Sequence, residues 1–151
     1  MSVSRAKTLC SVILFILLSP VVYGQLTDHQ FILSKNVQVS HSEIDNGYTR
    51  FTPTIKDIQR ADSVSKDYIK AHRDKYPWTK EIINYDQHYR QYVGYLNLNH
   101  QKTIFVNGFC RPETKADESL VDVRGGGSCF FNIKVDLSSK KAFNLNVNAP
   151  R

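Results

Sequence analysis

The sequence predicts an α+β domain in which one amphipathic helix packs on a curved, four-stranded antiparallel sheet. Three observations predict it: a helical periodicity over about residues 53–75, a change to a period of two after residue 88, and hairpin-like connections between the later segments. A helix followed by two consecutive hairpins gives a meander with one buried face, and the helix would cover that face.

The helix is predicted from apolar residues that recur at steps of three and four. Thr52 fits the N-cap and Pro53 the first helical position, where the missing N–H of proline costs nothing. The helix should end before Pro77, because proline disfavours the helical conformation of the preceding residue. The apolar positions on the predicted buried face are Ile55, Ile58, Ala61, Val64, Tyr68 and Ala71.

Four strands are predicted at about residues 89–98, 103–110, 129–137 and 142–148. The alternation predicts a buried face formed in the last two strands by Phe131, Ile133, Val135, Leu137, Phe143, Leu145 and Val147. Residues 25–51 carry a weaker pattern, in which residues 31–33 suggest a short first element of unspecified type and residues 45–47 a turn.

Residues 1–24 are predicted to be a cleavable secretory signal peptide. Arg5 and Lys7 precede a short apolar run that ends near Pro20, and Gly24 closes a small-residue cleavage pattern. A membrane-spanning helix needs about 20 apolar residues, so an anchor is the less favoured interpretation. We therefore expect residues 25–151 to form a single domain exported to the periplasm or the extracellular space, without a stable membrane anchor after cleavage.

The cysteine count supports the same compartment. Of three cysteines, Cys10 falls in the signal peptide, which leaves Cys110 and Cys129 in the mature chain. An even number of cysteines in an oxidising compartment favours a disulfide. Because the meander places the end of the second strand near the start of the third, this pairing is geometrically reasonable.

Charge and motif content argue against several functions. The formal charge of +6 falls to +4 once the signal peptide is removed, and no run of Lys or Arg appears, so nucleic-acid binding is not predicted. The five histidines are scattered without metal-ligand spacing, so no metal, no cofactor and no catalytic residue is predicted. The triple glycine at residues 125–127 precedes a strand, which favours a turn or bulge over a phosphate loop.

Two surfaces are candidates for a ligand. The predicted outward face of the sheet combines amides with aromatic rings, a mixture that can bind sugars or another protein; its residues include Tyr95, Phe105, Asn107 and Asn132. The favoured interpretation of the same pattern is a solvated face or one covered by a second copy in a homodimer. The second candidate is the concavity between helix and sheet, where an enzyme pocket would need Tyr68, His72, Arg90 and Tyr92 to converge.

Three segments carry motifs that recur elsewhere: RQYVGY at residues 90–95, IFVNGFC at residues 104–110, and a glycine pair at residues 125–126 followed by CFFNIKVD at residues 129–136. They resemble the patterns R-Q-Y-x-G-[YI], [IV]-x-[IV]-N-x-F-C and D-G-G-x-x-[YF]-F-x-[VI]-x-[YV]-[DN] of a family of small, mostly bacterial, exported proteins without assigned function. The likeness covers about residues 88–148. Arg124 departs from the family pattern, which has an acidic residue before the glycine pair.

The resemblance implies a cystatin-like or NTF2-like fold. We therefore expect an exported, non-enzymatic binding module for a protein or small-molecule ligand, with an NTF2-like enzyme as the alternative. A cystatin-like protease inhibitor is less favoured, because the Q-x-V-x-G wedge of such inhibitors is one residue short at Gln91-Tyr92-Val93-Gly94 and lies within a predicted strand.

Overall fold

The structure is a computed structural model that describes residues 25–42, 44, 47–72 and 84–149. The predicted signal peptide, residues 45–46 of the predicted turn and the predicted helical residues 73–75 lie outside this part of the chain. Within it, no helix has the length and apolar character needed to cross a bilayer.

The described elements follow one another as β1 (Gln30–Leu33), β2 (Arg50–Phe51), α1 (Ile55–Ala71), β3 (Tyr89–Leu96), β4 (Lys102–Phe109), β5 (Phe130–Asp136) and β6 (Lys141–Val147). A short 3-10 turn, Gly127–Cys129, leads into β5. The four long strands therefore lie where the sequence predicts them, with ends that differ by one or two residues.

The sheet is mixed and has six strands in the order β1-β3-β4-β5-β6, with β2 also paired to β3. The predicted antiparallel meander is confirmed for β3 to β6, but a four-stranded, purely antiparallel sheet is wrong. β1 pairs in parallel with the first half of β3, and β2 pairs antiparallel with its second half. These two short strands satisfy the backbone groups that would otherwise lie unpaired along the free edge of β3.

The helix starts later than predicted. Its N-cap is Thr54, whose side chain accepts from the backbone N–H of Asp57, while the Asp57 carboxylate accepts from the backbone N–H of Thr54. This reciprocal capping box satisfies two backbone donors, which a cap at Thr52 would not achieve. The buried face is also rotated, since Ile55 is 40% exposed and the buried positions are Ile58, Ala61, Asp62, Ser65 and Ile69.

The inner face of the sheet, defined as the face that α1 covers, holds the larger core. α1 packs across β4, β5 and β6. Ile58, Ala61 and Ile69 of the helix meet apolar side chains of the strands there, among them Tyr92, Ile104, Val106, Phe131, Ile133, Val135 and Leu145. The inward positions predicted for β5 are confirmed.

A β-bulge changes the pattern in β6. The pairing shifts between Asn132 and Lys134 of β5, and Asn144 has a left-handed backbone with φ of 51°. Phe143 consequently aligns with Lys134 on the opposite side from the inner core, so its predicted inward position is wrong. Leu145 and Val147, beyond the bulge, return to the inner face as predicted.

The outer face of the sheet is covered as well. Residues 34–42, 44, 47–49 and 111–124 fold over it and close a second core, which we call the outer core. It is formed by Leu33, Val39, Ile44, Val93, Tyr95 and Phe105 with Val37, Tyr48 and Leu120 at its margin. This differs from the open face that the alternation suggests. The reason is that β3 and β4 place apolar side chains on both faces, as strands do when both faces are buried.

The predicted disulfide is confirmed. Cys110 and Cys129 are bonded, with 5.1 Å between their Cα atoms. Phe109 pairs with Phe130 at the end of the β4–β5 ladder, so the two cysteines follow directly as the next cross-strand pair. The bond therefore joins the two ends of the long β4–β5 connection, which includes residues 111–124.

Gly108 on β4 lies where the inner core has no room for a side chain. A Cβ atom there would lie inside the van der Waals contact distance of the buried Phe131 ring. We expect Gly108→Ala to lower the free energy of unfolding by about 1–3 kcal/mol through overpacking, measured by urea denaturation. A change below about 0.5 kcal/mol, the level of ordinary surface substitutions, would contradict this packing account.

Candidate functional site

Two groups of polar side chains stand out in the fold. The first, which we call the interior network, lies between α1 and the inner face and consists of Gln30, Asp62, Tyr85, Arg90 and Tyr92. The second lies on the outer face, where a row of amides runs across the strands into a groove. The side chains of the first group hydrogen-bond to one another, whereas the second group includes a buried oxygen with no partner among the described residues.

Asp62 is the centre of the interior network. It reaches the sheet because it occupies the buried face of α1, one turn after Ile58. Its Oδ1 accepts from the hydroxyls of Tyr85 (2.9 Å) and Tyr92 (2.8 Å), and its Oδ2 accepts from Gln30 Nε2 (2.7 Å). The Asp62 carboxylate therefore has three hydrogen-bond donors supplied by the protein.

Arg90 supplies the positive charge of the same network. Its side chain is only 2% exposed, and its Nε lies 3.7 Å from Asp62 Oδ1 and donates to the Tyr92 hydroxyl at 2.9 Å. Its Nη1 donates to the backbone carbonyls of Tyr85 and His88, and its guanidinium lies over the Tyr85 ring at 4.7 Å. The guanidinium is therefore held by a carboxylate, two carbonyls and an aromatic ring.

Burial fixes the protonation states around this pair. Burial raises the pKa of Tyr85 and of Tyr92, and the negative charge of Asp62 raises both further. The two phenols therefore remain protonated hydrogen-bond donors at neutral pH. Burial lowers the pKa of His88, whose Nδ1 donates to the Asn84 carbonyl at 3.2 Å. The imidazole is thus neutral at pH 7.

The predicted pocket residues fall into two pairs. Arg90 and Tyr92 come together in the interior network. Tyr68 and His72 stack on each other near the end of α1, with ring centroids 4.0 Å apart, and His72 Nδ1 donates to the Tyr68 carbonyl at 2.8 Å. Because the interior network's donors and acceptors are used by one another, it is organised as a structural unit of the core.

On the outer face, Gln91, Asn107, Asn132 and Asn146 form a single row. Gln91 of β3 pairs with Asn107 of β4, Asn107 with Asn132 of β5, and Asn132 with Asn146 of β6. Because directly opposed residues in a sheet point to the same face, the four side chains follow one another across four strands. We refer to them as the amide row.

The first half of the amide row holds the covering segment in place. Gln91 Nε2 donates to the carbonyls of Ala116 (2.6 Å) and Ser119 (2.7 Å), and Gln91 Oε1 accepts from the backbone N–H of Val121 at 2.9 Å. Asn107 Nδ2 donates to Gln91 Oε1 at 3.0 Å and to the Val121 carbonyl at 2.7 Å. Asn107, a predicted ligand residue, is thus engaged by the protein's own backbone.

The second half of the row lies under a groove of about 670 Å³, which we call the outer groove. Its walls are residues 40–42 on one side and 122–125 on the other, and its floor includes Asn132 and Asn146. Asn148 Nδ2 donates to the carbonyls of Val123 (2.5 Å) and Gly125 (2.9 Å), which fixes the second wall. A groove of this size is within the usual range for small-ligand sites.

Asn132 differs from the other amides of the row. The residue is 6% exposed, and its Oδ1 is buried and accepts no hydrogen bond from any described residue. An unpaired buried carbonyl costs free energy, and most such groups in native proteins find a partner. Asn132 is therefore the one predicted ligand residue that the structure places both beside a groove and with unused hydrogen-bonding capacity.

The remaining predicted ligand residues of this face are core residues. Tyr95 and Phe105 are buried in the outer core, where the Tyr95 ring stacks on Tyr48 and the Phe105 ring contacts His41. Their rings pack in the outer core with Val39, Ile44 and Tyr48, and neither residue lines the outer groove. The structure thus separates the amides of the predicted face from its aromatic rings.

Asp62 and Gln91 are the important residues that the sequence reasoning missed. Asp62 has a signal, because Ile58, Asp62, Ser65 and Ile69 follow steps of four, three and four and so share one helical face. The sequence also carries a signal for Gln91. It lies between Arg90 and Tyr92 in β3, so the alternation of the strand places it on the opposite face from those two residues. Within residues 25–42, 44, 47–72 and 84–149, no group of three or more His, Cys, Asp or Glu side chains is placed to hold a metal ion.

Fold and site together define a small α+β domain whose mixed sheet is covered on both faces and carries a polar groove at the β5–β6 side. No family model, curated protein or solved structure gives a significant match to this chain. The resemblance to the family of exported proteins accordingly stays a prediction.

Proposed function

We propose that this chain is a non-enzymatic binding module whose ligand site is the outer groove. The observation that carries the proposal is Asn132, a residue that lines a polar groove and whose buried Oδ1 has no hydrogen-bond partner among the described residues. The wall at residues 122–125 is fixed by Asn148 and by the disulfide behind it, so the site is largely formed before a ligand arrives. Preorganisation of this kind favours binding.

The proposed setting is outside the cytoplasm. The disulfide between Cys110 and Cys129 is consistent with export, and residues 1–24 have the pattern of a signal peptide. The fold that we propose for the module is cystatin-like or NTF2-like, in keeping with a helix that precedes a four-stranded meander and packs on it. A homodimer remains a prediction.

The alternatives gain less support. An enzyme in the helix–sheet concavity would use Arg90 and Tyr92, yet both are engaged with Asp62 in the interior network. A cystatin-like inhibitor would have to present Gln91-Tyr92-Val93-Gly94 at a hairpin tip, whereas this stretch is buried inside β3. These placements favour a binding module over either alternative.

Filling the outer groove tests the proposal. Asn146 is exposed on the groove floor, so Asn146→Trp should fold normally and block the groove with its indole. We expect a panel of N-acetyl amino-acid amides and small polyols, at millimolar concentration, to give saturation-transfer NMR signals with the parent protein and none with Asn146→Trp. The matched control is Asn99→Trp at the exposed β3–β4 turn, which should retain the signals.

Two results would overturn the assignment of the site. Equal signals from the parent protein and Asn146→Trp would place binding outside the outer groove. Absence of any signal from the parent protein, with both variants folded by circular dichroism, would show that the groove does not take small polar ligands.

A further inference from the structure

The amide row shows what kind of group its side chains recognise when they are satisfied. Gln91 and Asn107 bind the backbone of the chain's own 116–121 segment: both donate to its carbonyls, and Gln91 also accepts from the N–H of Val121. A carboxamide offers a donor and an acceptor side by side, which complements a peptide group with its N–H and C=O.

The same row continues past the covering segment. Asn132 is the direct cross-strand neighbour of Asn107, and Asn146 is the next along the row. Neighbouring strands lie about 4.8 Å apart, so the row repeats the same functional group at nearly even spacing. Unlike Gln91, Asn132 has no hydrogen bond from the chain's own backbone at its side-chain oxygen: its Oδ1 accepts nothing from the described residues.

The lining of the outer groove distinguishes peptide from sugar. Among the described residues that line it, none is phenylalanine, tyrosine or tryptophan, and Tyr95 and Phe105 are buried in the outer core. The groove therefore offers no such aromatic ring for the apolar face of a sugar. It offers amides, the Gly125 backbone, and side chains of both charges in Asp122 and Arg124, which suits a polar ligand of low net charge.

We propose that the outer groove binds a short, extended peptide segment through its backbone, with Asn132 and Asn146 making the contacts that Gln91 and Asn107 make to the protein's own 116–121 segment. This inference rests on the proposed function, since it names the ligand class of the same groove. Recognition through the backbone would tolerate many peptide sequences, because the amide side chains would hydrogen-bond to the N–H and C=O groups of the peptide and not to its side chains.

Three probes test the ligand class by isothermal titration calorimetry: a mixture of blocked hexapeptides, the same mixture with N-methylated backbone amides, and the oligosaccharide chitotetraose. We expect the unmodified peptides to bind and N-methylation to weaken their affinity about tenfold or more, because it removes the backbone donors. Chitotetraose should not bind.

A variant at Asn132 tests the contact itself. Asn132→Leu keeps a similar volume and removes the amide, and we expect it to weaken peptide binding by about tenfold. Its thermal midpoint should stay the same or rise, since an unpaired buried oxygen is replaced by apolar atoms. The matched control, Asn99→Leu at the exposed turn, should bind as the parent does.

The outcomes separate this inference from the proposed function. Binding of chitotetraose without binding of peptides would overturn the peptide class and leave the groove as the site. Equal affinity for methylated and unmethylated peptides, or for Asn132→Leu and the parent protein, would overturn backbone recognition. If neither the peptides nor chitotetraose binds while the small polar panel also gives no signal, both proposals fail together.

Discussion

Asp62→Asn is expected to lower the free energy of unfolding by about 3–5 kcal/mol, the largest effect of any single substitution considered for this chain. The substitution leaves the Arg90 guanidinium buried without its counter-charge. An asparagine also has only one acceptor oxygen, so it cannot accept from Tyr85, Tyr92 and Gln30 together as the carboxylate does. Urea denaturation followed by circular dichroism measures the loss.

The matched control for this prediction is Asp67→Asn on the exposed side of the same helix, which should change the free energy of unfolding by less than about 0.5 kcal/mol.

A double variant separates the effect of the unpaired buried charge from the effect of packing. Asp62→Leu combined with Arg90→Met replaces the buried pair with apolar groups and should recover much of the lost stability. If Asp62→Asn proves as mild as Asp67→Asn, the interior network is not what holds α1 to the sheet.

Removal of the disulfide is expected to have the second largest effect. The bond closes a loop between residues 19 positions apart, and in the loop-entropy model its loss in Cys110→Ala/Cys129→Ala lowers the free energy of unfolding by about 3 kcal/mol. The same bond lies at the base of the connection that covers the outer core and walls the outer groove. Reduction should therefore also increase hydrogen exchange in residues 111–125 more than in α1.

The parent protein measured with and without reductant provides the direct comparison. The reduced parent and the double alanine variant should have similar unfolding midpoints, both below that of the oxidised parent. Identical midpoints for oxidised and reduced protein would contradict the prediction. Increased exchange spread evenly over the chain would instead mean that the bond stabilises the whole fold and not the groove wall in particular.

The meander and the disulfide could be predicted because both depend on local pattern. Alternation in β5 marks its faces, and consecutive hairpins leave Cys110 opposite Cys129 with little freedom. The bulge in β6 could not be predicted, since one residue in a left-handed conformation, Asn144, moves Phe143 off the inner face without changing the sequence pattern. Parallel pairing of β1 with β3 joins segments about 60 residues apart and has no local signature.

The candidate site was predictable only in part. Asn107 and Asn132 are both outward amides in the sequence pattern, and nothing local distinguishes the one that anchors residues 116–121 from the one that faces a groove. That distinction depends on where a long loop lies on the sheet, which is set by tertiary hydrogen bonds such as those of Gln91. Asp62 was missed for a related reason: a carboxylate on an apolar helical face is expensive to bury unless distant partners are present, and those partners lie on β1 and β3 and at Tyr85.

The most direct test of the binding account is the position of the ligand on the sheet. Nitrogen-15 NMR of the protein, titrated with the blocked hexapeptide mixture, reports on both candidate surfaces in one experiment. We predict saturable shifts of the side-chain amides of Asn132 and Asn146 and of the backbone amide of Gly125, with the Arg90 Nε resonance unchanged. Shifts of Arg90 Nε with the Asn132 and Asn146 resonances unmoved would contradict the account and place the ligand between helix and sheet.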